Sequence, residues 1–324
     1  MNGDNVICPL RVDRVVPESD GVVSLRLVHP DGQRLPDWTP GAHLDVLLPS
    51  GLLRQYSLCG DPQDDTGYRI AVLREARGRG GSREIHDSAL LGCTLGIRGP
   101  RNHFALSTAP RYLFLAGGIG ITPILAMARE VSRRGVPWRL VYGGRTRSTM
   151  AFVDELQNLP SGQVELVPQD ERGHIPLDDI LAATPPDTHI YCCGPEPMIR
   201  AVEAACARCS ALDRLHVERF TAPSLAEQPP VEPVGDGTFE VELHRSGVVL
   251  RVPANRTLLE VVRDVVPGVM SSCEEGFCGA CETKVLEGVP EHHDSILSDA
   301  ERASCNTMMI CVGRARSGLL VLDL

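Results

Sequence analysis

The sequence predicts a multidomain chain: an antiparallel β-barrel, then an α/β domain around a parallel sheet, then a small β-grasp module. Three observations carry that expectation. Residues 1–104 hold short runs of alternating apolar and polar positions cut by turn residues. Residues 105–221 alternate strand-like and helix-like runs. Residues 239–324 carry a hairpin pattern followed by a tight cysteine loop. A chain of 324 residues suits two or three domains, and an apolar share of 43% lets each bury a core.

In the barrel the alternation runs through Val22–Val28, His43–Leu48 and Tyr68–Arg74. Turn chemistry separates these runs at Pro30-Asp-Gly32, Pro40-Gly41, Pro49-Ser-Gly51 and Asp61-Pro62. A strand over Arg54-Gln-Tyr56-Ser57-Leu58 puts Arg54, Tyr56 and Leu58 on one face and Ser57 on the other. A guanidinium there can pair with a phosphate, and a tyrosine offers both a ring and a hydroxyl. The stretch Gly78-Arg-Gly-Gly-Ser82, ahead of a predicted helix over 84–90, makes a nest of N–H groups for a phosphate. Gly99-Pro-Arg-Asn-His-Phe104 closes the barrel.

The second domain opens with the strand Tyr112–Ala116, the turn Gly117-Gly-Ile-Gly120 and a helix from near Thr122-Pro123. Proline suits a first helical turn, and Thr122 is the expected cap. Strands Arg139–Tyr142, Val164–Val167 and His189–Tyr191 follow, with helices over Phe152–Leu159 and Met198–Ser210. The helix start after the glycines is an anion site, although the run is not G-x-G-x-x-G. Tyr112–Ala128 holds no charged residue, but three glycines and Pro123 interrupt it and it is short for a bilayer. A buried strand, a turn and a helix start explain it without a membrane. Cys192 and Cys193 are adjacent on one strand and must point to opposite faces. Cys206-Ala-Arg-Cys209 falls in a helical pattern with no partner doublet and reads as structural.

Ala222–Gly237 contains four prolines, and residues 222–238 read as a semi-rigid linker. Beyond it, Phe239–His244 and Val248–Val252 form a hairpin about Arg245-Ser-Gly247, with a helix over Leu258–Val265 and strands Thr283–Leu286 and Leu319–Leu322. Between them stands Cys273-Glu-Glu-Gly-Phe-Cys278-Gly-Ala-Cys281, and later Cys311. That is the C-x4-C-x2-C…C spacing of a plant-type [2Fe–2S] centre, in which four thiolates hold two irons. Gly276, Gly279 and Ala280 are small enough for backbone N–H groups to approach the sulfurs. A zinc knot would pair doublets or spaced histidines, whereas these ligands divide three and one. Cys305 fits the spacing less well and reads as a packed free thiol; His292 and His293 read as solvated side chains. The module carries 13 acidic and 8 basic residues, and Glu274, Glu275 and Glu282 flank the ligands. Such a face steers a basic partner, or serves solubility alone.

A formal charge of −10 argues against a general affinity for nucleic acid. Twelve cysteines, four of them assigned to iron, indicate a reducing cytoplasm, and the Met-Asn-Gly-Asp start lacks the order of a signal peptide.

Three segments resemble the motifs of the ferredoxin–NADP reductase superfamily: R-x-Y-S-L at Arg54–Leu58, A-G-G-x-G-x-T-P at Ala116–Pro123, and C-G-P-x-x-M at Cys193–Met198. His293-Asp-Ser-Ile-Leu-Ser298 is similar to a further segment of relatives. With the ferredoxin module at its C-terminal end, the chain resembles the phthalate dioxygenase reductase family. The resemblance implies FMN rather than FAD in the barrel. Its contacts would be Arg54, Tyr56, Ser57 and Leu58, the strand residues Ala71, Val72 and Leu73, and Gly80, Gly81 and Ser82. It implies NADH on the second domain, held by Gly117, Gly118, Gly120, Thr122, Pro123 and Arg145 and by Cys193, Gly194 and Pro195. Arg147 and Ser148 lie nearby, where the adenosine ribose is read, and the lean to NADH over NADPH comes from relatives with an Arg-x-Arg segment. Ser57 at flavin N5, Cys193 near nicotinamide C4 and Phe220 beside the flavin ring are the implied catalytic set. Hydride would pass from NADH to the flavin, and single electrons through the cluster on Cys273, Cys278, Cys281 and Cys311 to a separate Rieske-type oxygenase. Two alternatives stay open: a reductase for another acceptor such as a cytochrome P450, and a redox-sensing module without turnover. The intact hydride-path segments argue against the second.

Overall fold

A computed structural model of the chain describes residues 7–76, 80–220 and 237–324. Gly78 and nearly all of the expected linker lie outside the described residues. The chain divides into two compact units, residues 1–219 and 220–324.

The first unit begins with β1 (Cys8–Ser19), β2 (Val22–Val28), β3 (Ala42–Leu47), β4 (Leu53–Ser57), β5 (Tyr68–Leu73), α1 (Gly81–Asp87) and β6 (Thr94–Asn102). The six strands pair antiparallel in the order β4-β3-β6-β1-β2-β5. Leu58, just past β4, bridges Ile70 of β5 and joins the two ends of the sheet. Leu25, Leu27, Leu44, Val46, Ile70, Val72, Leu95 and Ile97 fill the interior. The long β1 has no clean alternation in sequence because two register shifts, at Val12/Arg14 and Pro17/Ser19, break the period of two.

The same unit continues through β7 (Arg111–Gly117), α2 (Ile121–Arg133), β8 (Trp138–Gly144), α3 (Val153–Gln157) and β9 (Gly162–Pro168). Next come α4 (Gln169–Arg172), α5 (Leu177–Ala182), β10 (Thr188–Cys193), α6 (Glu196–Arg208) and β11 (Leu215–Glu218). These five strands are parallel, in the order β11-β10-β7-β8-β9. The uncharged stretch is β7, a 3₁₀ turn over Gly118–Gly120 and the first half of α2, all in the core except the turn. Among the described residues, no helix is long and apolar enough to cross a membrane. Thr122 does not cap α2. The turn runs straight into the helix, the Ile121 N–H bonds the Gly118 and Ile119 carbonyls, and the Thr122 hydroxyl donates to the Ile119 carbonyl at 3.0 Å.

Period two sorts β10 as expected: Cys193 and Tyr191 pack with β7 and α2, and Cys192 packs with α6 and Cys206. Cys206 is buried and Cys209 exposed, as a helical pair without a metal would be. Arginine hydrogen bonds and ion pairs tie the two sheets of this unit together. Arg129 of α2 donates to the Cys59 and Gly60 carbonyls at 2.6 and 2.7 Å. Arg69 of β5 pairs with Glu18 of β1 at 2.7 Å and Glu155 of α3 at 3.0 Å.

The second unit contains β12 (Phe239–Leu243), β13 (Val248–Val252), α7 (Leu258–Arg263), β14 (Glu282–Glu287) and β15 (Pro290–Glu291). It ends with α8 (Asp299–Ser304), β16 (Thr307–Met309), β17 (Arg314–Ala315) and β18 (Leu319–Leu322). Its sheet runs β13-β12-β18-β14-β16, with β12 and β18 parallel, and β15 pairs with β17. The helix α7 starts at a capping box of Thr257 and Glu260 and lays Leu258, Leu259, Val261 and Val262 on the sheet.

Candidate active site and cluster loop

Three strand ends meet in the first unit. Ser57 is the last residue of β4, Cys193 the last of β10, and Glu218 the last of β11. Register pairs Cys193 with Ala116 on one side and with Glu218 on the other. The Ser57 hydroxyl is hydrogen-bonded to the Glu218 carboxyl. Ser57 is 5% exposed and Cys193 fully buried. Burial raises the Glu218 carboxyl to about 8, against a small opposing pull from Ser57. Its Oε2 has no hydrogen-bond partner among the described residues. Burial, aided by Glu218, also pushes the Cys193 thiol well above its ordinary range. The junction therefore holds a neutral thiol, a hydroxyl and a carboxyl that is protonated at neutral pH. Cys193 is a packing and contact group there, not a thiolate nucleophile.

Glycines bring the strand ends together. A Cβ on Gly120 would collide with the Cys193 carbonyl, and one on Gly117 would lie 2.6 Å from Met198 Sδ and 2.7 Å from Pro195 Cδ. The close approach these glycines permit is thus to the Cys193-Gly194-Pro195 turn of the chain itself. Gly118 differs: its φ is +53° and the space beside it is open.

The barrel face beside the junction is equally close-built. A Cβ on Gly81 would lie 2.6 Å from Arg54 Cγ, so the Arg54 stem crosses the start of α1. Gly80 has φ +90°, a conformation that side chains avoid. Tyr56 lies near Arg54 and Glu84, and burial raises its hydroxyl pKa. The Ser82 hydroxyl accepts the Glu75 N–H at 3.1 Å. On β5, Val72 points into the barrel core while Ala71 and Leu73 pack on the other side. Arg145 is exposed, and its carbonyl accepts the Asp170 N–H, setting the ends of β8 and β9 side by side. Phe220, two residues past Glu218, is 36% exposed.

In the second unit the four thiols converge. Cys273 engages Cys278 and Cys311, and Cys281 engages Cys311. All four are buried. The Cys273 N–H points at Cys278 Sγ at 3.3 Å, the Glu275 N–H at Cys273 Sγ at 3.3 Å, and the Ala280 N–H at Cys278 Sγ at 3.5 Å. The neighbouring Cys278 and Cys311 thiols, and after them the Glu275 N–H, lower the Cys273 thiol below its ordinary range. Soft sulfur ligands with amides aimed at them fit an iron–sulfur centre. Gly276 has φ +73°, and a Cβ there would meet Val312 Cγ2 at 2.7 Å. Cys305 stands apart, half-buried, its sulfur donating to the Arg302 carbonyl.

Comparison with known proteins identifies two of the domains. Residues 241–316 match a 2Fe-2S iron-sulfur cluster binding domain and residues 114–204 an oxidoreductase NAD-binding domain. The chain is 43% identical over 319 residues to the phenoxybenzoate dioxygenase subunit beta of Ectopseudomonas oleovorans, covering 97% of each. It is similar to the structure of phthalate dioxygenase reductase, described as modular for electron transfer from pyridine nucleotides to [2Fe-2S] (TM-score 0.69, 36% identity, 98% of each chain). The chain belongs to the phthalate dioxygenase reductase family. It is an oxidoreductase with an NAD-binding domain and a [2Fe–2S] domain. A solved type IV self-sufficient cytochrome P450 monooxygenase is also similar (TM-score 0.86, 40% identity). The match covers 99% of this chain and 41% of that one. The structure brings the expected Ser57 and Cys193 together and groups the four cysteines, and it adds Glu218, which the sequence did not single out. The only signal for it was its place two residues before Phe220.

Proposed function

We propose that this reductase takes hydride from NADH and delivers single electrons to a Rieske-type oxygenase in the cytoplasm, with FMN as its flavin. The observation that carries the reading is the meeting of Ser57, Cys193 and Glu218 in a chain that also holds a four-thiol loop. On this reading residues 1–104 hold the flavin, 105–221 the nicotinamide and 239–324 the cluster. When bound, the groups supply a hydride acceptor and a one-electron carrier. The residues supply position and electrostatics. Arg54 and the glycines at 80 and 81 would grip the flavin phosphate with Ser82. Tyr56 would flank the ring system with Ala71 and Leu73, whereas the Leu58 and Val72 side chains are taken up by the barrel core, which corrects the expectation for those two. Ser57 would present its hydroxyl to the reacting edge. Gly118 and the start of α2 would face the nucleotide, Arg145 its adenosine end, and Cys193, Gly194 and Pro195 the nicotinamide. Phe220 would cover the flavin face.

The test is a visible spectrum of the purified protein before and after anaerobic NADH, with the released flavin identified. Overlapping flavin and iron–sulfur bands that both bleach, and FMN in the supernatant, are the expected result. A cluster that NADH cannot reduce would remove the reading. The likeness to a P450 chain supports a second acceptor class, and side-by-side turnover with an oxygenase and a P450 haem domain separates the two.

A further inference from the structure

Between β15 and α8 of the second unit, residues 292–297 form a compact turn. Asp294 Oδ1 accepts the N–H groups of Ile296 and Leu297 at 3.1 and 2.8 Å, and the Asp294 carbonyl accepts Arg302 at 2.6 Å. The turn bears on the cysteine loop. The Ser295 N–H donates to the Gly276 carbonyl at 2.9 Å, and a Cβ on Gly276 would lie 3.0 Å from Asp294 Cα.

His292 does not behave as the sequence suggests. Its side chain is 9% exposed and that of Asp294 1%. Among the described residues, neither ring nitrogen has a hydrogen-bond partner, and nor do Asp294 Oδ2 and Arg302 Nε. Nδ1 faces Asp294 Oδ2 at 3.7 Å. Unmet polar atoms on three ionisable groups are costly when shielded from water, and they mark a place where a proton or a water belongs. Burial holds the ring below its ordinary range; Asp294 and a looser contact with the Arg302 backbone pull it up, and the charges of Arg302 of α8 and Arg316 beyond β17 push it down. Burial thus favours the neutral imidazole, set beside the shielded Asp294 side chain.

We propose that His292 is a proton site linked to the electron held on the adjoining cysteine loop. The inference rests on the [2Fe–2S] assignment of that loop. One electron enters the centre from NADH by way of the flavin, or from dithionite, and one proton passes from solvent to the ring. No bond to iron or sulfur forms or breaks. The added negative charge lies beyond the turn that Asp294 braces, and it joins Asp294 in opposing Arg302 and Arg316. The proton then leaves with the electron when the acceptor takes it. At the surface presented by Glu274 and Glu275, this uptake limits the negative charge added by reduction.

The test is the midpoint potential of the cluster in the full-length holoprotein, followed by EPR during dithionite titration between about pH 5 and 8. The expected potential falls as pH rises, and in His292→Gln it is level. A level potential in the wild type, or the same slope in the variant, overturns the proposal. Because the variant can disturb the turn, ¹⁵N NMR of the wild-type imidazole in both oxidation states gives a second reading. Equal proton affinity in the two states overturns the proposal as well. Absence of a cluster signal at every pH would instead count against the cluster reading beneath it.

Discussion

The four-cysteine loop and the junction of Ser57, Cys193 and Glu218 are built in opposite ways. Cys273, Cys278 and Cys281 lie on one short loop, so their geometry depends on a few local torsions and on Gly276 clearing Val312. Ser57, Cys193 and Glu218 come from three strands in two sheets, and their meeting depends on everything that holds those sheets together. A local site tolerates distant damage and fails at once when a ligand is lost. A long-range site degrades by degrees. Each can therefore be broken while the other is watched.

The largest expected effect is at the loop. Cys278→Ser removes one of four thiolates and should abolish the iron–sulfur spectrum and cytochrome c reduction. Flavin bleaching by NADH should persist near the wild-type rate. Stopped-flow absorbance reads both, and loss of flavin reduction would show that the two sites are not separable. At the other site, Arg54→Ala removes a charged partner worth about 1.5–3 kcal/mol, so flavin affinity should fall roughly 10- to 100-fold. Titration of the flavin-free protein measures it, and an unchanged affinity takes Arg54 out of the site.

The same contrast explains what could be read from sequence. The four ligands were legible because thiolate spacing on a loop is itself the geometry. Cys193 was separable from Cys192 because a strand has period two and the two faces of β10 pack on different neighbours. Glu218 was not legible, because nothing near it in sequence says that β11 will lie beside β10 with its last carboxyl against Ser57. Thr122 was assigned to a cap because a threonine before a proline looks like one. The 3₁₀ turn that supplies the Gly118 and Ile119 carbonyls instead is a tertiary outcome. His292 looked solvated for the same reason: its cover comes from a turn and a helix whose packing no local pattern encodes.

Gly120 sharpens the comparison further. A methyl there would run into the Cys193 carbonyl, so Gly120→Ala should destabilise the first unit by about 1–3 kcal/mol and slow hydride transfer. Gly118→Ala, with open space but φ +53°, should cost about 1–2 kcal/mol from backbone strain alone. Neither should move the cluster spectrum. Thermal unfolding followed at the flavin and at the cluster separates the units, and a shifted cluster signal would contradict the modular picture.

The smallest effect concerns Glu218. Below about pH 8 its carboxyl keeps a proton and the junction is neutral; above it, a negative charge stands beside Ser57 and Cys193. Hydride transfer adds negative charge to the acceptor, so the rate of flavin reduction should fall as pH rises through about 8. Glu218→Gln keeps the shape but cannot ionise, and its profile should be level there, within severalfold of the wild-type rate below the break. Stability should follow the same sign. The folded carboxyl holds its proton more tightly than the unfolded one, so its stabilisation is fully present below the ordinary carboxylate range. It is lost as pH rises through about 8, and the glutamine variant lacks that slope. If the break persists in Glu218→Gln, it belongs to another group. If it vanishes while the cluster potential stays where it was, the junction carries its own proton chemistry, independent of the loop.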